Sequence, residues 1–209
     1  MPGLRSIRLI LWAAVAVALF VLGAVTVGLH ARNGPTSQAA LSGNAISPGA
    51  PLGGAFSLVD HKGAPVTEAI FRDRPAAVFF GFTHCPDVCP TTLMDMAGWI
   101  EALGPDADRV RFVFVTVDPE RDTPAALKDY LSAFSDRIVG ITGEPGQVHA
   151  MVRDYKVFSR KALLDGGGYT MDHTASVLLL DADGSLVGTI ARDEERDTAV
   201  AKLKRLVAG

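Results

Sequence analysis

Cysteine is nearly absent from this chain. Its 209 residues hold two, Cys85 and Cys89, four positions apart. In an oxidising compartment a structural disulfide is the ordinary use of such a pair. A bridge here would close a very small loop and constrain the unfolded chain little, and a domain of this size buries an adequate core without a staple. Excess positive charge is lacking too. The first 32 residues carry Arg5, Arg8 and Arg32 and no acid, which leaves 17 basic against 23 acidic side chains beyond them, a formal charge of −6. A mildly acidic body argues against nucleic acid as a partner. There is no internal repeat, and no low-complexity tract beyond one linker-like stretch.

What is present begins with an uncharged run over residues 9–29, long enough to cross a bilayer. The apolar core of a cleavable signal spans only about 7–15 residues, so an uncleaved single transmembrane helix is expected. Arg5 and Arg8 before it place residues 1–8 in the cytoplasm and everything after the span outside. A short N-terminus without a transit peptide points to a bacterial inner membrane with the body on the periplasmic side. Residues 30–52, rich in Gly, Pro, Ser and Ala, read as a flexible tether, and residues 53–208 as one domain.

Within that domain, strands are expected near Phe56–Val59 and Val66–Thr67, with a turn at His61-Lys62-Gly63. The apolar run Ala76–Phe82 reads as a buried strand, and Pro90–Leu103 as an amphipathic helix stopped by Gly104-Pro105. Val110–Val117 is a second buried strand. Asp122-Thr123-Pro124 supplies a cap and a first-turn proline for a helix through Phe134. Strand Ile138–Thr142, helix Pro145–Tyr155 and a flexible Gly loop at 165–168 follow. Ala175–Leu180 and Leu186–Ala191 flank the hairpin signal Asp181-Ala182-Asp183-Gly184, and Arg196–Val207 closes as a helix. The order describes an α/β mixed sheet flanked by helices. A thiol pair at the end of the first long strand fits a thioredoxin-like fold, although periodicity alone leaves it one of several.

Both thiols thus sit where a strand hands the chain to a helix. Pro90 suits the first helical position, with Cys89 as the cap, and peptide dipoles at such an end favour the thiolate. One helical turn puts the two Cβ atoms about 5–6 Å apart, wider than the about 3.5–4.5 Å of a relaxed disulfide. Two thiolates converging on one ion tolerate that separation more easily. His173, just before an inner strand, reads either as an ordinary polar loop histidine or as a third donor that a thioredoxin-like fold would bring to the thiol turn. Two sulfurs and an imidazole suit copper(I) above all, and zinc less specifically. Asp172 is expected to serve structure or a partner, Asp87 to modulate the thiols or complement the helix end, and His84 to be a plain loop histidine. Asp118-Pro119 is expected to shape its loop and Met96 to be core, while His61 and His149 have no evident partner.

Three ordered stretches resemble the Sco/SenC family: Thr83-His84-Cys85-Pro86-Asp87-Val88-Cys89-Pro90, Val117-Asp118-Pro119-Glu120-Arg121-Asp122-Thr123-Pro124, and Tyr169 through His173 with Asp181-Ala182-Asp183-Gly184 after it. The resemblance covers roughly residues 53–208 and the anchor-and-tether layout. It implies a membrane-anchored thioredoxin-like copper protein for cytochrome oxidase assembly, with Cys85, Cys89 and His173 matching the family's copper ligands. Such proteins deliver copper, as Cu(I) or Cu(II), to oxidase subunit II or keep its cysteines reduced, and a periplasmic copper donor would stand upstream. The resemblance implies a metallochaperone rather than a turnover enzyme. A thiol–disulfide oxidoreductase, with Cys85 and Cys89 as its redox pair, uses the same chemistry without needing the histidine. A thiol peroxidase would want an arginine at its cysteine, and none is obvious near Cys85. A redox or copper sensor would leave no separate mark.

Overall fold

The computed structural model describes residues 52–209. The expected transmembrane helix at 9–29 and nearly all of the tether lie outside them. Among the described residues no helix is long and apolar enough to cross a membrane.

The sheet is built outward from β3 (Ala76–Gly81) and β4 (Arg111–Thr116), which pair in parallel with Phe79 opposite Phe114. All six residues of β3 are buried. Parallel strands covered on both faces must read as continuous apolar runs, and that is why Ala-Ala-Val-Phe-Phe and Phe-Val-Phe-Val were legible. β5 (Ile138–Thr142) extends the parallel set beside β4. Antiparallel strands complete a seven-stranded sheet in the order β2-β1-β5-β4-β3-β8-β9, with β1 at Ser57–Asp60, β2 at Pro65–Thr67, β8 at Val177–Leu180 and β9 at Leu186–Ile190. The mixed sheet flanked by helices is the thioredoxin-like arrangement.

Four helices cover it: α1 (Val88–Leu103), α2 (Pro124–Ser132), α3 (Pro145–Asp154) and α4 (Arg196–Ala208). α1 packs on α4, α2 on β5 and α3 on β1. Thr123 caps α2 by accepting the Ala126 amide at 3.2 Å, with Pro124 in the first turn as expected. The Asp181 side chain accepts the amides of Asp183 and Ser185 and so fixes the β8–β9 turn, with Gly184 at φ 82°.

Two features differ from the sequence expectation. α1 starts at Val88, not Pro90, so Cys89 is its second residue and not its cap. Proline is tolerated anywhere in the first turn, where backbone N–H groups lack intrahelical acceptors, and therefore does not mark the start to the residue. The Gly loop at 165–168 is the tip of a separate antiparallel hairpin, β6 (Ser159–Leu163) with β7 (Tyr169–His173). Leu164 N–H donates to the Gly168 carbonyl and Gly167 N–H to that of Leu164, closing the turn. β6 and β7 form their own two-stranded sheet.

Candidate metal centre

β3 delivers Gly81 and buried Phe82 to the head of α1. The Cys85 amide donates to the Phe82 carbonyl at 3.3 Å, which folds the intervening residues into a turn. Asp87, the residue before α1, makes no side-chain cap. Instead the Cys85 sulfur accepts the Cys89 amide at 3.4 Å, satisfying an otherwise orphaned helix donor. Cys89 is buried and Cys85 only partly so; both are free thiols. Room for the Cys89 sulfur exists because residue 81 is glycine. A Cβ there would sit 2.9 Å from Cys89 Sγ and 2.8 Å from Phe114 Cε2.

The expected preference for thiolate is not met at Cys89. Burial pushes its thiol well above the ordinary range, with the Cys85 sulfur and the Asp122 carboxyl adding to the rise and the Phe82 backbone opposing it. Desolvation outweighs the helix end. A cation arriving at such a thiol supplies the compensating charge and displaces the proton.

His173 arrives from the other side, as the last residue of β7 rather than from an open loop. Its Nδ1 lies 2.9 Å from the Thr174 carbonyl. A carbonyl only accepts, so the proton sits on Nδ1 and the Nε2 lone pair is left free. That Nε2 is 3.5 Å from Cys89 Sγ. Burial lowers the imidazole's pKa and keeps it neutral, against the opposing pull of the Thr174 and Phe80 carbonyls and of Asp172. The ring stands edge-on to Phe82 and Phe79, with centroids 5.7 and 6.0 Å away.

One donor atom from each of Cys85, Cys89 and His173 thus falls within 4.8 Å of the others. For a tetrahedral ion with bonds of about 2.3 Å to sulfur and about 2.0 Å to nitrogen, the two donors lie about 3.5 Å apart. The Cys89–His173 separation of 3.5 Å matches that value, and the donor set suits one soft or borderline cation.

Other residues take the places expected of them or acquire new ones. Asp172 turns from His173 to Arg160, its cross-strand partner, at 2.6 Å. His84 is a half-exposed loop side chain against Thr83, and Asp87 pairs with Arg192 at the surface. Met96 is core, and Met94 is exposed. His61 does have a partner, because its Nδ1 accepts the Gly140 amide at 2.9 Å.

Sequence reasoning missed Asp122 as more than part of a cap. Fully buried, it accepts from the Thr83 amide and hydroxyl and from the Thr116 hydroxyl, tying the thiol turn to the end of β4. It also missed Arg121 and Tyr169. The signal for Asp122 and Arg121 was the charged run Asp118 to Asp122 after a buried strand, where polar side chains must find partners; Tyr169, on β7, carried no such signal.

A thioredoxin-like domain with a dithiol at a helix head and an imidazole brought by a hairpin is the class that fold and site define. The chain belongs to the SCO1/SenC family, whose model matches residues 44–208. Protein SCO2 of Saccharomyces cerevisiae is 34% identical over 160 residues, which are 75% of this chain and 53% of that protein, so the chain spans about half that relative's length. The structure of Bradyrhizobium japonicum ScoI with copper bound is similar at 43% identity and a TM-score of 0.70, over 75% of this chain and 99% of the other. BsSco, a member of the Sco family of cytochrome c oxidase assembly proteins with an identified disulfide switch, is 22% identical at a TM-score of 0.61, over 77% of this chain and 96% of its own; it bears on the fold alone.

Proposed function

We propose that this chain is a copper-binding assembly factor for cytochrome c oxidase, delivering copper to subunit II or maturing its copper centre. The convergence of Cys85, Cys89 and His173 within 4.8 Å carries the reading. Copper(I) accepts soft sulfur at low coordination number, and copper(II) adds nitrogen and oxygen ligands, so a Cys₂His set serves either state. Cys85 and His173 are partly exposed while Cys89 lies behind them. A partner's ligands can therefore enter from the open side before the donor's own leave. Copper bound in the ScoI structure supports the choice of metal, and membership of the SCO1/SenC family supports the choice of pathway.

In this reading residues 9–29 anchor the chain in the inner membrane, residues 30–52 tether it, and the domain at 53–208 works in the periplasm, loaded by an upstream copper donor. The test is transfer. Copper-loaded protein mixed with reduced, copper-free subunit II domain should build that domain's copper centre, read by its visible absorption, and His173→Ala should abolish the transfer. Equal transfer by the variant would remove the histidine, and with it this reading.

A second reading is favoured by the two free thiols lying together in one turn. As a thiol–disulfide oxidoreductase the Cys85/Cys89 dithiol would reduce a partner disulfide, giving up two electrons and two protons and closing its own bridge while the partner gains two thiols. This activity needs no imidazole. Reduction of oxidised subunit II that survives in His173→Ala would support it, and a dithiol unable to reduce that substrate would exclude it.

A further inference from the structure

His173 is carried by a hairpin that shares no strand ladder with the main sheet. Something other than backbone pairing must hold its imidazole 3.5 Å from the Cys89 sulfur. Beside the buried packing of Met171 from β7, the polar side chains that do so come from the connection between β4 and α2. Asp118, only 2% exposed, accepts the Tyr169 hydroxyl at 2.9 Å and also pairs with Arg121 Nε. Arg121 Nη1 donates to the Tyr169 carbonyl at 3.1 Å, and its guanidinium lies 3.9 Å from the centre of the Tyr169 ring. The same guanidinium is 5.8 Å from the Phe82 ring, against which His173 stands edge-on. Lys161 from β6, 4.0 Å from the Tyr169 ring, pairs with Glu120 at 2.6 Å.

Planarity explains why an arginine occupies the centre. A guanidinium donates in its plane while stacking on an aromatic ring, so Arg121 engages Asp118, Tyr169 and Phe82 together. Its Nη2 is buried without a hydrogen-bond partner, and the group is held there by the ion pair and by stacking. The Arg160–Asp172 pair lies wholly within the hairpin and does not dock it.

We infer that Asp118, Arg121 and Tyr169 form a clamp that docks the β6–β7 hairpin and thereby positions His173 as a metal ligand. The inference rests on the copper-binding reading and deepens it: the clamp determines how much ordering remains to be done when copper arrives. Arg121 and Tyr169 touch no metal in this account and are positioning residues. Disturbing residues that orient a ligand typically lowers metal affinity by about 10–100-fold.

The test is a double-mutant cycle on the full chain in detergent micelles, with copper(I) affinity read by chelator competition and amide hydrogen exchange read on the copper-free protein. Arg121→Ala should weaken copper(I) binding by about 10-fold or more. In the His173→Ala background the same change should have no further effect on affinity. Exchange should quicken across β6 and β7 and stay unchanged in β3 and β4. Tyr169→Phe, which keeps the ring but loses its bond to Asp118, should show the same pattern in smaller degree, and it guards against a misfolded arginine variant. Unchanged affinity in Arg121→Ala, an equal loss with and without His173, or equal loss of protection in the central strands would each overturn the clamp. A parent protein whose affinity ignores His173 would overturn the proposed function itself, and comparing the parent with His173→Ala reveals that without the clamp variants.

Discussion

At the scale of single residues, the site depends as much on what is missing as on what is present. Gly81 leaves the space that the Cys89 sulfur and the Phe114 ring occupy. Gly81→Ala should therefore cost about 1–3 kcal/mol of stability, as overpacking of a filled core does, and weaken copper binding through the displaced sulfur. Urea unfolding together with copper titration checks both effects. Asp122 makes a separate prediction. Burial raises its carboxyl above the ordinary range despite the hydrogen bonds from Thr116 and Thr83 that favour the charge, and nearby Asp118 adds to the rise. The folded state then holds a proton that the unfolded state releases at about pH 3.9. The associated stability is present below that pH and is lost as pH rises through the higher folded value. Asp122→Asn should flatten this decline in urea-unfolding series taken upward from pH 4, whereas an unchanged slope would locate it elsewhere. The residues easiest to read in the sequence were those whose chemistry is rare in it: two cysteines, and one histidine placed before an inner strand. Gly81 and Asp122 were not legible, because their importance lies in neighbours distant in the chain, Phe114 for Gly81 and Thr83 for Asp122.

At the scale of elements, the buried parallel strands were evident from apolar runs and the β8–β9 turn from Asp181 and Gly184, whereas the β6–β7 hairpin was not. Ser159-Arg160-Lys161-Ala162-Leu163 has no buried face, and Leu163 itself is among the exposed large apolar residues. β6 therefore carries no period-2 apolar signal of its own, and in β7 only Met171 is buried. Its tip nevertheless has a local requirement that the glycines disclose. Gly167 and Gly168 have φ of 86° and 80° with open space around them. Gly167→Ala should thus cost about 1–2 kcal/mol, from backbone strain alone, and the cost should stay local. Hydrogen exchange should quicken in β6 and β7 while β3 and β4 keep their protection, and a uniform loss would contradict a separately docked hairpin. α1 shows the complementary limit of reading a sequence. Its existence and apolar face were plain, but its first residue was set by the Cys85 sulfur accepting an amide, an interaction that no capping preference foretells.

At the scale of the whole molecule, two scaffolds meet at one point. The sheet and α1 hold the dithiol from within, and the hairpin brings the imidazole to its partly exposed side. The split suits a protein that must both hold a metal and release it, since one ligand can withdraw while two remain. Anchor, tether and domain follow the same logic in the proposed arrangement, which keeps an exposed site near a membrane-embedded client. The central claim is that Cys85, Cys89 and His173 act as one copper site. Copper(I) titration of the reduced full chain in micelles against a competing chelator, beside His173→Ala, tests it most directly. The account predicts tight one-to-one binding that the variant loses. Weak binding, or binding indifferent to His173, would contradict it and leave the dithiol as the functional unit.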